Sequence, residues 1–108
     1  MIQEIVIVAG ARTPFGAFGG SLAGQTATDL AVTAARGAIK RAGVDPETVE
    51  QVVMGNVLQT SKDSIYLARH VALRSGIKAD APGLILNLLC GSGVQAVATA
   101  GMLMDAGQ

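Results

Sequence analysis

The sequence is poor in aromatic side chains, with two Phe, one Tyr and no Trp in 108 residues. It also contains a single cysteine, Cys90, and a single histidine, His70. One cysteine excludes an internal disulfide, and with one histidine it leaves too few soft ligands for a zinc site, so we expect no metal. The low cysteine content indicates a reducing compartment, and we predict a cytoplasmic location.

The sequence also lacks a surplus of charge of either sign, because eight Lys and Arg balance eight Asp and Glu. Without a basic patch, the chain is not expected to bind nucleic acid. No run of about 18 apolar residues occurs, so no transmembrane span is predicted. Met1 leads directly into a short apolar run beside Glu4, which does not resemble a secretory signal.

Hydrophobic residues are nevertheless plentiful, at 50% of the chain, and their pattern alternates between strand-like and helix-like segments. Thr26 and Asp29 resemble a helix-capping box, and Gly43 is a typical helix stop. Strands are predicted at residues 5–9, 52–58 and 84–89, and helices at 26–42, 61–75 and 93–106. This order predicts an α/β fold with a mostly parallel sheet and helical crossovers.

The predicted third helix is apolar around almost its whole circumference. Its apolar side chains are Val94, Ala96, Val97, Ala98, Ala100, Met102, Leu103 and Met104. Such a helix is expected to be buried between two layers, whereas the other predicted elements provide too few layers to cover it. We therefore predict that the chain is an incomplete part of a larger fold.

Cys90 lies where the apolar run 84–89 ends and the helix 93–106 begins, and small residues follow it. A strand-to-helix turn of this kind projects a nucleophile, as in a nucleophile elbow. The N–H groups at the start of the helix favour a thiolate and a developing oxyanion. An inert, buried thiol is the alternative interpretation, and the residues alone leave both open. His70 lies within a predicted helix, where a hydrogen-bonded or half-exposed role is more typical than that of a base.

Several segments resemble the thiolase family, in the same order along the whole chain. They are residues 11–16, 18–22, 54–59, 68–73, 75–77 and, above all, Asn87-Leu88-Leu89-Cys90-Gly91-Ser92-Gly93-Val94-Gln95-Ala96. The resemblance implies a thiolase-like layered fold, with residues 1–108 as an incomplete N-terminal domain. It also implies that Cys90 accepts an acyl group from acyl-CoA and that acetyl-CoA then condenses with the thioester. The reverse reaction is thiolysis of a 3-ketoacyl-CoA. CoA thioesters are then substrates, and no cofactor is expected.

The resemblance also implies what lies elsewhere in the family. The general-base histidine, a second cysteine and an asparagine that holds a water belong to a C-terminal half, and His70 does not match that histidine. We therefore expect the isolated chain to lack turnover. Position 88 departs from the family, because Leu88 stands where a polar or basic residue is more common. Thiolases pair through the third strand, so a homo-oligomer is predicted through residues 84–89.

Two other functions stay open on the sequence alone. The first is a ketoacyl-synthase-like condensing enzyme, which shares a cysteine elbow, although residues 12–14 and 18–20 favour a thiolase. The second is a truncated interaction module without catalysis. For the intact protein, we favour acetyl transfer to acetyl-CoA over cleavage of long-chain ketoacyl-CoA.

Overall fold

A computed structural model describes residues 4–108. Its three helices are α1 (Ala27–Ala42), α2 (Leu67–Arg74) and α3 (Ser92–Asp105), and its two strands are β1 (Val52–Gly55) and β2 (Gly83–Leu86). Single 3-10 turns at Pro46–Thr48 and Ser64–Tyr66 precede β1 and α2. The strands pair in parallel with Val52 opposite Gly83, and α2 forms the crossover between them. The predicted α/β class with a parallel sheet is confirmed.

Helix α1 has the ends that the sequence predicts. The Thr26 hydroxyl accepts the N–H of Asp29 at 3.1 Å, and the Asp29 carboxylate accepts the N–H of Thr26 at 2.9 Å. Gly43 ends the helix with φ 67°, and its N–H donates to the carbonyl of Ile39 at 3.1 Å. These bonds satisfy backbone groups that a helix end otherwise leaves unpaired.

The main core lies between α2, α1 and one face of the sheet. Val32 from α1 packs with Leu67 and Val71 from α2, and Met54 and Ile85 of the sheet pack against them. A second cluster joins Ala72, Ile77 and Ala81 to Ile39, Val49 and Val52. Helix α2 comes close to β2, since a Cβ added to Gly83 would lie 3.0 Å from the Cβ of Ala68.

Helix α3 lies on the opposite face of the sheet. Met54 faces the α2 core, whereas its neighbours Val53 and Gly55 face α3, as the alternation of a strand requires. The layers therefore run from α1 and α2, through the sheet, to α3. Only the sheet side of α3 is covered, because Ala96 is buried whereas Val94 and Val97 are 79% and 60% exposed. The expected burial of α3 on all sides is not met within residues 4–108.

The predicted strand at residues 5–9 is wrong, because no strand forms there and Ile7 is 81% exposed. A groove of about 420 Å³, lined by residues 5–7, Val53 and α3, lies between this segment and β1. An apolar β-branched run becomes a strand only when a neighbour accepts its hydrogen bonds. The end of the segment is attached to α1 instead, where Arg41 donates to the carbonyl of Gly10 at 2.8 Å.

The other predicted elements form, but the two remaining strands and the second helix are shorter than predicted. Strand 52–58 ends at Gly55, strand 84–89 ends at Leu86, and helix 61–75 becomes α2 with a 3-10 turn before it. The third helix is displaced by only one residue, from 93–106 to Ser92–Asp105. Among residues 4–108, no helix combines the length and the apolar content that crossing a bilayer requires.

Candidate active site

Cys90 lies in the turn that connects β2 to α3, two residues before the first residue of the helix. The turn begins after Leu86 and ends at Gly91, which precedes α3. The thiol is exposed, and within residues 4–108 it makes no hydrogen bond. This placement matches the predicted strand-to-helix elbow, and the exposure argues against a buried core thiol.

The residue before the cysteine has an unusual backbone conformation. Leu89 has φ 48°, the one positive φ of a non-glycine residue among residues 4–108. A left-handed conformation costs an L-amino acid roughly 1–2 kcal/mol, so the surrounding contacts have to impose it. The structure thus stores strain beside the candidate nucleophile.

Two side chains hold this turn in place. The Asn87 side-chain oxygen accepts the N–H of Leu89 at 2.8 Å. The Ser92 hydroxyl accepts the N–H of Leu88 at 2.9 Å and donates to the carbonyl of Leu89 at 2.7 Å. Ser92 is 5% exposed, so these bonds are shielded from water.

The start of α3 offers hydrogen-bond donors near Cys90 in the sequence. No side chain caps this end of the helix. The N–H groups of Gly91 and Ser92 donate back to the carbonyls of Leu88 and Leu89, each at 3.0 Å. Within residues 4–108, the N–H groups of Gly93 and Val94 have no backbone acceptor. A helix start with free donors stabilises negative charge in front of it, such as a thiolate or an oxyanion.

Gly55 of β1 supports the turn from behind. A Cβ placed on Gly55 would lie 2.6 Å from the carbonyl oxygen of Ser92 and 3.0 Å from the nitrogen of Gly93. Only a residue without a side chain fits between the strand and the first turn of α3. The position of the helix start therefore depends on glycine at position 55.

His70 belongs to a separate polar cluster around Asp63. Asp63 accepts hydrogen bonds from Ser61, from Thr28 at 3.0 Å and from His70 at 3.2 Å. These bonds, led by that from Ser61, lower the pKa of Asp63 to about 2. The His70 side chain is 38% exposed, and its ring lies 5.7 Å from that of Tyr66. The prediction of a half-exposed, hydrogen-bonded histidine is confirmed, and no hydrogen bond joins it to Cys90 within residues 4–108.

The sequence places Asn87 and Ser92 in the motif around Cys90 but gives them no role, and it does not connect Gly55 with the site. The small residues after Cys90 indicated only a tight turn with room for a ligand. Ser92 bonds backwards to Leu88 and Leu89, so the usual signal of a capping serine, which bonds forward into the helix, does not identify it. Gly55 is distant in sequence, and only the folded structure brings it against α3.

The structure is a layered α/β fold with an exposed cysteine in a strained strand-to-helix turn, and sequence comparison identifies the family. The sequence profile described as "Thiolase, N-terminal domain" matches residues 5–108. The chain therefore belongs to the thiolase family. The match also favours a thiolase over a ketoacyl synthase.

The relatives include enzymes named for two related activities. The chain is 55% identical over 97 residues to the human mitochondrial 3-ketoacyl-CoA thiolase, and the aligned region covers 90% of this chain and 24% of the human protein. It is 42% identical over 107 residues to the acetyl-CoA acetyltransferase of Escherichia coli strain K12, which covers 99% of this chain and 27% of that protein. The chain thus spans about a quarter of the length of these relatives.

The fold also matches that of solved thiolases. The crystal structure of the human mitochondrial 3-ketoacyl-CoA thiolase in complex with CoA superimposes with a TM-score of 0.88 at 55% identity. The match covers 90% of this chain and 25% of the human chain. The predicted thiolase-like fold, as part of an N-terminal domain, is confirmed.

Proposed function

We propose that this chain provides the acyl-accepting cysteine of a thiolase-type acyltransferase and that Cys90 is that residue. One observation carries the proposal: in a member of the thiolase family, the single cysteine is exposed in the strained turn before α3. An exposed thiol at a helix start has both the access and the local electrostatics that a nucleophile needs.

The proposed first half-reaction moves an acyl group onto Cys90. The thiolate attacks the carbonyl carbon of acyl-CoA, and N–H donors near the turn stabilise the tetrahedral oxyanion. The bond to the CoA sulfur then breaks, and CoA leaves as a thiolate that takes up a proton. The acyl group remains on Cys90 as a thioester.

The proposed second half-reaction forms a carbon–carbon bond. A base removes a proton from the methyl group of acetyl-CoA, and the resulting carbanion attacks the Cys90 thioester. A 3-ketoacyl-CoA forms and the Cys90 thiolate is released, and the reverse sequence is thiolysis. His70 is not proposed as this base, because it belongs to the Asp63 cluster and no hydrogen bond joins it to Cys90 within residues 4–108. The base therefore comes from outside residues 4–108, and we expect the isolated chain to lack turnover, since general acid–base catalysis contributes ~10²–10⁴-fold.

The substrates and partners follow from the same proposal. CoA thioesters are substrates, acetyl-CoA first among them, and no bound cofactor takes part. A homo-oligomer is proposed through β2, which in residues 4–108 lies at an edge of the two-stranded sheet. The cytoplasmic location stays a prediction, because the human relative is named mitochondrial.

Transfer of an acetyl group to the chain tests the first half-reaction. The chain is incubated with acetyl-CoA or with a small acetyl thioester that needs no contacts to the nucleotide. Because the sequence has one cysteine, a thioester-linked acetyl group has a single location, and mass spectrometry should find a hydroxylamine-labile acetyl group on the Cys90 peptide. Cys90→Ser should fold like the wild type and carry no hydroxylamine-labile acetyl group.

A second candidate function is a non-catalytic interaction module, which the exposed apolar face of α3 favours. This candidate predicts that Cys90 stays unacylated by either thioester and that alkylating reagents modify it no faster in the folded chain than in urea. Such a result would overturn the proposed acyl transfer. Addition of a thiolase C-terminal half then separates the two candidates, because only the enzyme fragment should gain condensing activity.

A further inference from the structure

We propose that Ser92 is a positioning residue that holds Leu89 in its left-handed conformation and thereby presents Cys90 to its reagent. The inference rests on the proposed function, since it deepens the account of how Cys90 is made reactive. Ser92 does not touch the reacting atoms in this account. It acts on the backbone of the two residues that precede the cysteine.

The hydroxyl of Ser92 acts both as an acceptor and as a donor in hydrogen bonds across the turn. It accepts from the Leu88 N–H at 2.9 Å and donates to the Leu89 carbonyl at 2.7 Å. These two groups lie at the two ends of the Leu88-Leu89 pair, and Leu89 has φ 48°. The hydroxyl thus holds the peptide group that precedes Leu88 and the one that follows Leu89, and the Asn87 side-chain oxygen holds the Leu89 N–H between them at 2.8 Å. Together these bonds restrict the φ and ψ of Leu89 to a conformation that leucine otherwise avoids.

The surroundings of Ser92 make this attachment rigid. The side chain is buried, and Gly55 brings β1 against the Ser92 carbonyl, where an added Cβ would lie at 2.6 Å. The serine is therefore fixed to the helix and the sheet, whereas Leu88 and Leu89 are 57% and 67% exposed and pack little. The turn is held from the Ser92 side, and Asn87 adds one bond through the Leu89 N–H.

Alkylation of Cys90 in the 108-residue chain tests the inference without requiring turnover. Iodoacetamide forms a carbon–sulfur bond with the thiolate and releases iodide. The measured quantity is the alkylation rate in the folded chain divided by the rate in urea, both recorded at the same pH. The ratio should exceed one in the wild type. Ser92→Ala should lower it toward one, by up to about tenfold for two lost hydrogen bonds.

Two further variants separate positioning from general stability. Ser75→Ala is the matched control, since Ser75 is also buried but its hydroxyl has no hydrogen-bond partner within residues 4–108. It should leave the ratio unchanged. The double variant Leu89→Gly with Ser92→Ala should recover the wild-type ratio to within about twofold, because glycine adopts positive φ without strain.

Each result decides the inference. A wild-type ratio of one would overturn the proposed function and this inference with it. A raised wild-type ratio that Ser92→Ala leaves unchanged would overturn the positioning role alone. If Ser92→Ala loses the raised ratio and the double variant does not recover it, Ser92 does not act through Leu89. A double variant that is unfolded by circular dichroism would lead to the same conclusion.

Discussion

At the scale of single residues, Asp63 connects more of the chain than any local motif suggests. Its carboxylate accepts from Thr28 of α1, from Ser61 of the preceding loop and from His70 of α2. Thr28 and Ser64, which lie in this cluster, are both about 1% exposed. A charged acceptor in such a place satisfies donors that burial would otherwise leave costly.

The lowered pKa of Asp63 predicts how stability depends on pH. The carboxylate is favoured in the folded chain, so its contribution to stability is complete above the ordinary value of 3.8 and is lost as the pH falls toward about 2. Asp63→Asn should therefore lower the thermal midpoint at neutral pH, and the difference from the wild type should disappear near pH 2. Unfolding followed by circular dichroism across this range measures the difference.

Asp80→Asn is the control for this experiment, because the exposed Asp80 side chain makes no hydrogen bond within residues 4–108. The thermal midpoint of this variant should match that of the wild type across the same pH range. A difference between Asp63→Asn and the wild type that stays constant down to pH 2 would contradict the charge-based explanation.

At the scale of elements, β1 and α3 approach each other closely at Gly55, where an added Cβ would come nearer to a neighbouring atom than at any other glycine of residues 4–108. Gly55→Ala places a Cβ 2.6 Å from the Ser92 carbonyl, so the helix start has to move. Overpacking of this kind costs roughly 1–3 kcal/mol. We expect the variant to lose that much free energy of unfolding in urea and to alkylate Cys90 more slowly than the wild type does.

Gly93→Ala is the matched control, since nothing lies within 4 Å of the added Cβ and the residue is already in α3. Alanine there should raise stability by roughly 0.5–1 kcal/mol through helix propensity. Equal loss of free energy of unfolding in the two variants would show that the close approach at Gly55 does not cause the destabilisation.

The elements also show which structural features the sequence predicts well. Helix α1 follows from its own residues, because Thr26, Asp29 and Gly43 provide both ends locally. The strand at residues 5–9 could not be decided in this way, because an apolar β-branched run specifies a preference but not a partner. The position of Cys90 in a strand-to-helix turn was predictable from the apolar run, the small residues and the helix that follow one another. The strain at Leu89 and its attachment to Ser92 were not, because they depend on how the turn closes in three dimensions.

At the scale of the whole molecule, exposed apolar side chains dominate the expected behaviour in solution. Ile7, Phe15, Phe18 and Val94 are each at least 79% exposed, and half of the residues of α3 are exposed. The Cα radius of gyration, 14.1 Å, exceeds the ~13 Å of a compact domain of this length. Monomeric proteins rarely expose such apolar surfaces, and edge strands add a template for association.

We therefore predict that the purified chain forms a dimer or larger aggregate. Sedimentation at micromolar concentration should show species above the monomer mass. Val94→Lys should shift the distribution toward the monomer, because Val94 is exposed on α3. Phe18→Lys tests in the same way whether the N-terminal segment contributes. A single monomeric species with cooperative thermal unfolding would contradict the prediction and require that α3 be covered by another part of the chain.

The parallel pairing of β1 with β2 also has a consequence in time. The Val52 N–H donates to the carbonyl of Pro82, and Val32 packs with Leu67 and Val71 of α2. During synthesis, α1 can close both of its ends as soon as Gly43 emerges, but its apolar stripe then has nothing to pack against until α2 has left the ribosome. The nascent chain thus presents a finished helix with an uncovered face, which is the kind of surface that chaperones bind.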